Sequence, residues 1–320
     1  MKLSRIYDLC VSLGTEKDPR TKQQINNQLK SIKRMFNRLN GVDKKVFDKE
    51  KLRQPYSDTR ILYGNPEKEI KTIMVGVDIE TPELLLGDRL TEKGLAVDLM
   101  LSHHPEGVAL SNFYEVMQLH KNVLMNVGIK KEIADSLIDE RIKEVSRSVS
   151  SRNHSRSVDA AKYLDMAFMC VHTPADNYVA NYLQSLFDKK KPSKVKDALN
   201  LLKSIPEFRI GAERGAGPRL IAGAEKNDAC KVFVEMTGGT EGSDKVFARL
   251  SQAGINTIVA MHLSEAHFKK AKAEHINVIV AGHIASDNLG LNLLLDDIQR
   301  KGKEEFNILE CSGFVRIKER

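Results

Sequence analysis

The chain has 320 residues, of which 41% are hydrophobic and 29% charged, as is usual for a soluble globular protein. No apolar stretch approaches the roughly 20 residues that span a bilayer, and the N-terminus lacks a secretory cleavage pattern. Four widely spaced cysteines without a CxxC pair argue against a disulfide framework or a thiolate zinc site. A reducing compartment, the cytoplasm, is therefore predicted, with no membrane contact.

The positive charge is concentrated at the N-terminus. Residues 1–56 carry 14 of the 50 Lys/Arg residues and 6 of the 43 Asp/Glu residues, so the rest of the chain is close to neutral. A helix is predicted from apolar residues at helical spacing, namely Leu29, Ile32, Met35, Phe36 and Leu39. Its basic face could lie on nucleic acid or an anionic membrane surface. A solvated face packed on its own body or a neighbouring subunit is favoured, because no aromatic residues alternate with the charges.

From about residue 60, strand and helix patterns alternate. Thr72–Ile79 is a β-branched apolar run that predicts a buried strand, Pro82–Lys93 predicts a helix, and Val97–Leu101 predicts a second strand. This order is the βαβ signature of a parallel sheet. Further strands are predicted at Asp165–Val171, Lys231–Met236, Asn256–Met261, Asn277–Ala281 and Phe306–Cys311, with helices at Asn177–Phe187, Ser243–Ala253 and Glu265–His275.

The segment from Leu110 to Leu164 is predicted to be mainly helical and polar. Its Ser/Arg-rich middle, Ser146–Ser157, is either an exposed helix or a loose loop, and composition leaves both open.

Three polar clusters each follow directly after a predicted buried strand, where ligand sites form in open α/β sheets. The first cluster is Ser102-His103-His104-Pro105. A turn can direct adjacent histidines toward two different metal ions. Such pairs also occur in ordinary surface turns, so this cluster is weak evidence alone.

The second cluster contains His172 and Asp176, and the third contains His283 and Asp287. Asp176 and Asp287 could each be a helix cap. A carboxylate can also bridge two metals, and His172 could orient a ligand through a hydrogen bond. His283 and Asp287 are four residues apart and share one face if a helix begins there.

These residues offer imidazole nitrogen and carboxylate oxygen without sulfur, which suits Zn²⁺, Mn²⁺, Fe²⁺, Co²⁺ or Ni²⁺. The sequence predicts a pair of divalent ions, roughly 3.5–4 Å apart, with open positions for water and substrate. The predicted ligands are His103, His104, Asp176, His283 and Asp287.

The remaining histidines are less informative. His120, His154 and His275 lie in polar helical contexts and are predicted at the surface, whereas His262 and His267 could line the same cleft. The loop Thr237–Gly242 could hold an anion with its backbone N–H groups. It lacks the P-loop and GxGxxG spacings, so a tight turn is favoured.

The clusters together resemble those of the Nif-three-like family (NGG-one-interacting factor three), whose bacterial members are labelled GTP cyclohydrolase I type 2 homologues. SHHP, HTPADN and AGHIASDN are similar to its His-His, His-Thr-x-x-Asp and Gly-His-x-x-x-Glu motifs. The similarity runs from about Tyr56 to the C-terminus and includes the opening stretch YSDTRILYGNPEKEIKTIMVGVDIET and the loop and helix MTGGTEGSDKVFARLSQAGIN.

The resemblance implies metal-ligand roles for the five predicted residues. It also implies a bilobed α/β fold with mixed or parallel sheets, in which subunits form a ring, often a hexamer. The predicted domains are a basic helical arm, 1–55, and a metal-binding unit, 56–320. In that unit, 56–200 and 275–320 form one lobe and 201–274 the other.

The chain departs from the family pattern in four places. Asp287 stands where Glu is usual, and Ala260-Met261-His262 stands for an expected Thr-Gly-Glu, which makes His262 a possible replacement. The Ser/Arg-rich insertion between His104 and His172 and the basic arm are additional.

Two functions follow as hypotheses. One is a metal-dependent hydrolase for a phosphorylated or nucleotide-like small molecule, in which Asp176 would bridge the two metals and the histidines would hold them. The other is a metal-binding scaffold or regulatory protein that acts through protein partners, or through nucleic acid bound by the basic arm.

Overall fold

The apolar, β-branched runs form the centres of two sheets in the computed structural model, which describes residues 1–318. The first sheet has the order β1-β4-β3-β2-β9, with only β1 antiparallel to its neighbour. Its strands are β1 Arg60–Tyr63, β2 Thr72–Gly76, β3 Leu99–Ser102, β4 Phe168–Cys170 and β9 Asn307–Cys311.

The second sheet has the order β5-β8-β7-β6, and here β5 is the antiparallel edge strand. Its strands are β5 Arg219–Ala222, β6 Lys231–Glu235, β7 Ile255–Ala260 and β8 Asn277–Val280. The predicted α/β class with mixed sheets flanked by helices is confirmed.

Helices cover both sheets and connect their parallel strands. They are α1 Leu3–Lys17, α2 Lys22–Arg38, α3 Gly41–Val46, α4 Thr81–Glu92, α5 Gly107–Ser111, α6 Gln118–Asn126, α7 Lys131–Val149, α8 Arg156–Tyr163, α9 Thr173–Lys190, α10 Val195–Lys203, α11 Pro206–Glu213, α12 Phe247–Gln252, α13 Glu265–Ala273 and α14 His283–Gly302. Short 3₁₀ turns lie at Lys49–Leu52, Phe113–Met117 and Asp244–Val246. No helix in residues 1–318 has the length and apolar character needed to cross a membrane.

Strand register places the polar clusters side by side. Gly76 pairs with Ser102, which in turn pairs with Cys170, so β2, β3 and β4 end at one edge of the first sheet. Ala260 and Val280 are paired in the same way in the second sheet. Parallel strands in register present the loops at their carboxyl ends to one region of space.

Helices α9 and α14 bring the two edges together. A Cβ added to Gly290 of α14 would lie 2.4 Å from the carbonyl oxygen of Ala175 in α9. Only glycine allows the two helix backbones to approach this closely. Since each helix begins at a strand end, their close packing places the two ligand-bearing loops face to face.

The N-terminal region divides into two parts. Leu3, Ile6 and Leu13 of α1 are fully buried in the core of the first sheet. In α2, by contrast, Ile25 is the only buried residue. The first 20 residues therefore stabilise the first sheet, and α2 is the part that matches a peripheral helix.

The sheets also bear on the predicted lobes. Strand β8 is hydrogen-bonded to β5 and β7, so a division that follows the sheets assigns residues 277–280 to the lobe of 201–274. The predicted division at residue 275 assigned them to the other lobe. The full domain division stays a prediction.

The predicted strands and helices agree with the structure to within a few residues at most positions. In the Ser/Arg-rich segment both alternatives occur, because α7 continues to Val149 and an irregular stretch precedes α8 at Arg156. Helix α1 lies within the predicted helical arm, whereas the edge strands β1 and β5, which are four residues long each, were not predicted.

Candidate metal centre

The turn after β3 fixes the two adjacent histidines through its backbone. The N–H of His103 donates to the carbonyl oxygen of Gly76, and the N–H of His104 donates to that of Val77, both at 2.9 Å. The imidazole ring centroids are 5.2 Å apart. The turn thus continues the sheet ladder and directs the two rings to different positions.

Three imidazoles have their Nδ1 atoms occupied by oxygen acceptors. The Nδ1 of His103 lies 3.1 Å from the carbonyl oxygen of Val171, and that of His104 lies 2.6 Å from Asp78 Oδ1. The Nδ1 of His172 lies 2.9 Å from Asp58 Oδ2. Because these acceptors require a proton on Nδ1, the lone pair of each neutral ring lies on Nε2, the arrangement that metal-binding histidines show.

The carboxylate of Asp287 lies between the Nε2 atoms of three histidines. Its Oδ1 is 3.5 Å from His103 Nε2, and its Oδ2 is 3.7 Å from the Nε2 atoms of both His104 and His283. Two ligands that each bind one tetrahedral ion at about 2.1 Å lie about 3.4 Å apart. The observed separations match that spacing, and they are too long for good hydrogen bonds.

Asp176 takes a similar place on the other side of His103. Its Oδ1 lies 3.4 Å from His103 Nε2, and its Oδ2 lies 3.8 Å from His172 Nε2. Three groups of side chains bring their ligand atoms within 4.8 Å of one another: His103 with His104 and His172, His104 with His283 and Asp287, and His103 with Asp176 and Asp287.

Several of these atoms are buried and lack a hydrogen-bond partner within residues 1–318. They are His103 Nε2, Asp176 Oδ1 and both carboxylate oxygens of Asp287. Leaving a buried carboxylate without a partner costs free energy, and such groups normally pair with a charge or coordinate a metal. The buried His/Asp cluster could therefore hold a metal ion.

Mutual electrostatics dominate the cluster. Burial alone would depress the pKa of His103, but Asp287 and Asp176 raise it well above its usual range. Burial opposes ionisation of Asp287, yet His103, His283 and His104 bring the pKa of that carboxyl below its ordinary value. The hydrogen bond from His104 lowers the pKa of Asp78. Cationic charge beside these carboxylates is thus strongly favoured, whether protons or metal ions supply it.

His283 is the first residue of α14, and the residue before it, Gly282, cannot be replaced without rearrangement of the backbone. Gly282 has a φ of +106°, and an added Cβ would lie 2.2 Å from the carbonyl oxygen of Ala216. The side chain of His283 is 40% exposed, and burial of the remainder lowers its pKa. His283 and Asp287 share one helix face, as their spacing predicted.

Of the two possible supporting residues, one belongs to the cluster. His172 presents Nε2 to Asp176 and groups with His103 and His104. His262 lies outside the ligand groups, with its ring 4.9 Å from that of His283 and its Nδ1 3.4 Å from Glu241 Oε1. The hydrogen bond with Glu241 raises the pKa of His262. His267 is buried and its Nε2 donates to the carbonyl oxygen of Gly242, outside the cluster.

The surface position predicted for His120 is wrong. His120 is buried, and its Nε2 lies 3.1 Å from the carbonyl oxygens of both Gly238 and Thr240. A polar helix sequence suggested exposure, but α6 packs against the glycine-rich loop of the second sheet, and that contact is not local in sequence.

Two supporting carboxylates, Asp58 and Asp78, were not predicted from the sequence. Asp78 follows two residues after β2, so the strand-end rule could have found it. Asp58 precedes β1, which is antiparallel to β4, so the start of β1 lies where the parallel strands end. A rule that examines only residues after strands therefore cannot find Asp58.

The fold and the strand-end cluster define a two-sheet α/β protein with a candidate metal centre. No protein-family model matches the chain, and no curated protein matches it. Among solved structures, the chain is similar to a NIF3 superfamily protein from Sphaerobacter thermophilus, with 26% sequence identity and a TM-score of 0.69 over 82% of this chain and 93% of that one. The predicted resemblance is confirmed: the chain has a NIF3-like fold.

More distant similarities extend over comparable lengths. Reduced HcgD from Methanocaldococcus jannaschii has 15% identity and a TM-score of 0.46 over 78% of this chain and 87% of that one. A hypothetical protein of Staphylococcus aureus, SA1388, has 13% identity and a TM-score of 0.45 over 80% and 89% of the two chains.

Proposed function

We propose that this protein is a metal-dependent hydrolase whose centre takes two divalent ions. The observation that carries the proposal is Asp287, a fully buried carboxylate with no hydrogen-bond donor to either oxygen within the described residues. Its two oxygens face different histidines. A carboxylate in this position fits a bridge between two ions.

The distances favour two ligand sets that share Asp287. One set combines His103, His172 and Asp176 with Asp287 Oδ1, and the other combines His104 and His283 with Asp287 Oδ2. The sequence-based hypothesis gave the bridging role to Asp176, whereas these contacts favour Asp287. His172 is proposed here as a ligand and not only as a support.

The nitrogen and oxygen donors fit Zn²⁺, Mn²⁺, Fe²⁺, Co²⁺ or Ni²⁺. When bound, two such ions would supply Lewis-acid polarisation of the scissile group and activation of water. Asp58, Asp78 and the Val171 carbonyl oxygen fix the imidazoles in the required tautomer, so the site is organised before any ion binds. The more exposed His283 and His104 leave one side of the centre accessible.

A cleft suited to a small molecule opens above that accessible side. It has a volume of about 470 Å³ and is lined by His104, His172, His262 and His283 together with residues of α7. This size suits a phosphorylated or nucleotide-like substrate.

Elemental analysis of protein purified without added metal tests the metal part of the proposal. About two ions per chain are expected, and their absence after both aerobic and anaerobic purification would refute it. A screen of phosphoesters and nucleotides tests the hydrolase part, with Asp287→Asn as the control that must be inactive. Two bound ions without any such activity would favour the metal-binding scaffold.

A second function, binding of nucleic acid, has one specific observation in its favour. Residues 22–47 contain seven Lys/Arg residues and one Asp. None of these seven cations forms an ion pair within residues 1–318. Unpaired cations on one helical segment fit a polyanion. A hexameric ring and a cytoplasmic location also stay predictions.

A further inference from the structure

Helix α7 forms one wall of the cleft above the candidate metal centre. The cleft-lining residues of α7 and the turn after it recur at helical spacing, so one continuous face is directed inward: Arg141, Glu144, Val145, Ser148, Val149 and Arg152. The opposite wall carries His104, His172 and His283. Residues of the chain's insertion therefore face the proposed centre across about 470 Å³ of open space.

Arg141 is held in place by two neighbours. Its Nε donates to the carbonyl oxygen of Glu241 at 3.1 Å, and its Nη1 lies 2.9 Å from Glu144 Oε2. The first bond ties α7 to the glycine-rich loop of the second sheet. A guanidinium fixed in this way keeps free N–H groups in a defined orientation, which suits recognition of a planar or tetrahedral oxyanion.

Arg152, at the far end of the wall, has no acceptor for its guanidinium within the described residues. The carboxylates that line the same cleft are already engaged. Asp78 accepts from His104, Glu106 accepts from the Ser157 hydroxyl, and Glu144 pairs with Arg141.

The remaining cleft carboxylate, Glu80, lies 3.5 Å from the Arg156 guanidinium. Because the guanidinium of Arg152 has no acceptor within the described residues, it is available to bind an anionic ligand in the cleft.

The glycine-rich loop adds backbone donors to the same cleft. Gly239 and Thr240 line it, and neither backbone N–H has an acceptor in the part of the chain that the structure describes. Their neighbour Gly238 has a φ of +99°, and its carbonyl oxygen is taken up by His120. Free N–H groups beside an arginine are a recurrent feature of phosphate sites.

We infer that the α7 wall is a phosphate-recognition site, in which Arg152 and Arg141 receive the phosphate group of a small-molecule substrate whose remainder reaches the metal centre. The inference rests on the proposed hydrolase function and adds the substrate class and the residues that select it. Arg152 is the residue expected to contact the phosphate directly. Arg141 also connects the wall to the loop.

Isothermal titration with inorganic phosphate on the metal-loaded protein tests this site. Arg152→Gln should weaken phosphate binding about tenfold or more, because a charge-assisted hydrogen bond is lost. Arg152→Lys should recover part of the affinity. Arg147→Gln is the matched control, since Arg147 is an exposed arginine of α7 that lies outside the cleft lining. It should bind phosphate like the parent protein.

Equal affinities in Arg152→Gln and Arg147→Gln would overturn the inference, as would a parent protein that does not bind phosphate. Metal content is measured on the same samples. If Arg152→Gln also loses metal, its weaker phosphate binding would be explained by the metal centre, and the assignment of phosphate binding to the α7 wall would be refuted. If the protein hydrolyses p-nitrophenyl phosphate, Arg152→Gln should raise the KM for this substrate about tenfold with little change in kcat. The rate of p-nitrophenyl acetate hydrolysis should not change, because that substrate has no phosphate group. Absence of hydrolysis would count against the proposed function alone, because the titration still decides whether Arg152 binds phosphate.

Discussion

The two sheets of this protein share one plan. Each begins with an antiparallel edge strand followed by three parallel strands, in the orders β1-β4-β3-β2 and β5-β8-β7-β6, and the first sheet adds a fourth parallel strand, β9, beside β2. In each, the strand next to the edge is followed by a histidine, and an aspartate lies four residues later on the helix: His172 and Asp176 after β4, His283 and Asp287 after β8. The candidate metal centre lies where these two equivalent units meet.

The two halves differ in how they hold their histidines. In the first, His103, His104 and His172 each have Nδ1 bound to an oxygen acceptor. In the second, His283 has no such partner within residues 1–318 and is 40% exposed. The same local spacing thus gives a rigid half and an accessible half, because the supporting acceptors come from elsewhere in the chain.

The largest effect is expected at the carboxylate that both halves share. Asp287→Asn keeps the shape of the side chain but removes the charge, so metal content should fall from about two ions per chain to nearly none. Asp297→Asn on the same helix, outside the cluster, is the control. Elemental analysis of both variants measures the difference, and retention of both ions in Asp287→Asn would refute the bridging role.

Loss of the exposed ligand should affect only one half. His283→Gln is expected to reduce the content to about one ion per chain, since the first half keeps four proposed ligands. Titration against a competing chelator should show that the remaining ion binds with parental affinity. Loss of both ions, or of neither, would mean that the halves do not act as separate ligand sets.

The supporting carboxylates should differ in importance because their burial differs. Asp58 is fully buried and accepts hydrogen bonds from His172 and the Thr173 hydroxyl. Asp58→Asn should weaken metal binding about 10–100-fold and lower the melting temperature. Asp78 is 57% exposed, so water can replace it beside His104, and Asp78→Asn should have a smaller effect. Comparable losses in the two variants would remove the distinction between the halves.

His120 connects the inserted α6–α7 region to the second sheet and should make stability depend on pH. Burial lowers its pKa below the ordinary value of 6.5, so the unfolded chain binds the proton more readily than the folded one. Its contribution to stability is therefore present above pH 6.5 and is lost as the pH falls through the lower folded pKa.

Melting curves of chelator-treated His120→Asn and parent protein between pH 5 and 7.5 would measure this contribution. The parent protein should be the more stable at pH 7.5, and the difference should narrow toward pH 5. A difference that is constant with pH would contradict the assignment.

The smallest effect on the centre is expected from the outer face of α2. The variant replaces the five cations of α2 with glutamine: Lys22, Lys30, Lys33, Arg34 and Arg38. Its metal content should equal that of the parent protein, because α2 contributes a single buried residue. If nucleic acid binds this face, affinity at low salt should fall and its salt dependence should become shallower. Fluorescence anisotropy with a labelled duplex would measure both quantities, and unchanged binding would rule this face out.

Much of the centre was predictable because its chemistry follows local patterns. Apolar β-branched runs predict strands, and the polar residues after them mark the ends of those strands. His103, His104, Asp176, His283 and Asp287 were selected in this way, and the structure brings all five into one cluster. The helical spacing of His283 and Asp287 likewise follows from sequence alone, since a helix places residues four apart on one face.

Other features depend on contacts between distant parts of the chain. Asp58 lies beside His172 because β1 is antiparallel to β4. The sequence of a four-residue strand does not predict the direction in which the strand pairs. His120 is buried by the glycine-rich loop, 118 residues away. Sequence determined which groups could bind a metal, since ligand chemistry belongs to individual side chains. Only the tertiary structure decided which groups are buried, paired or left accessible, because burial and pairing arise from packing between segments.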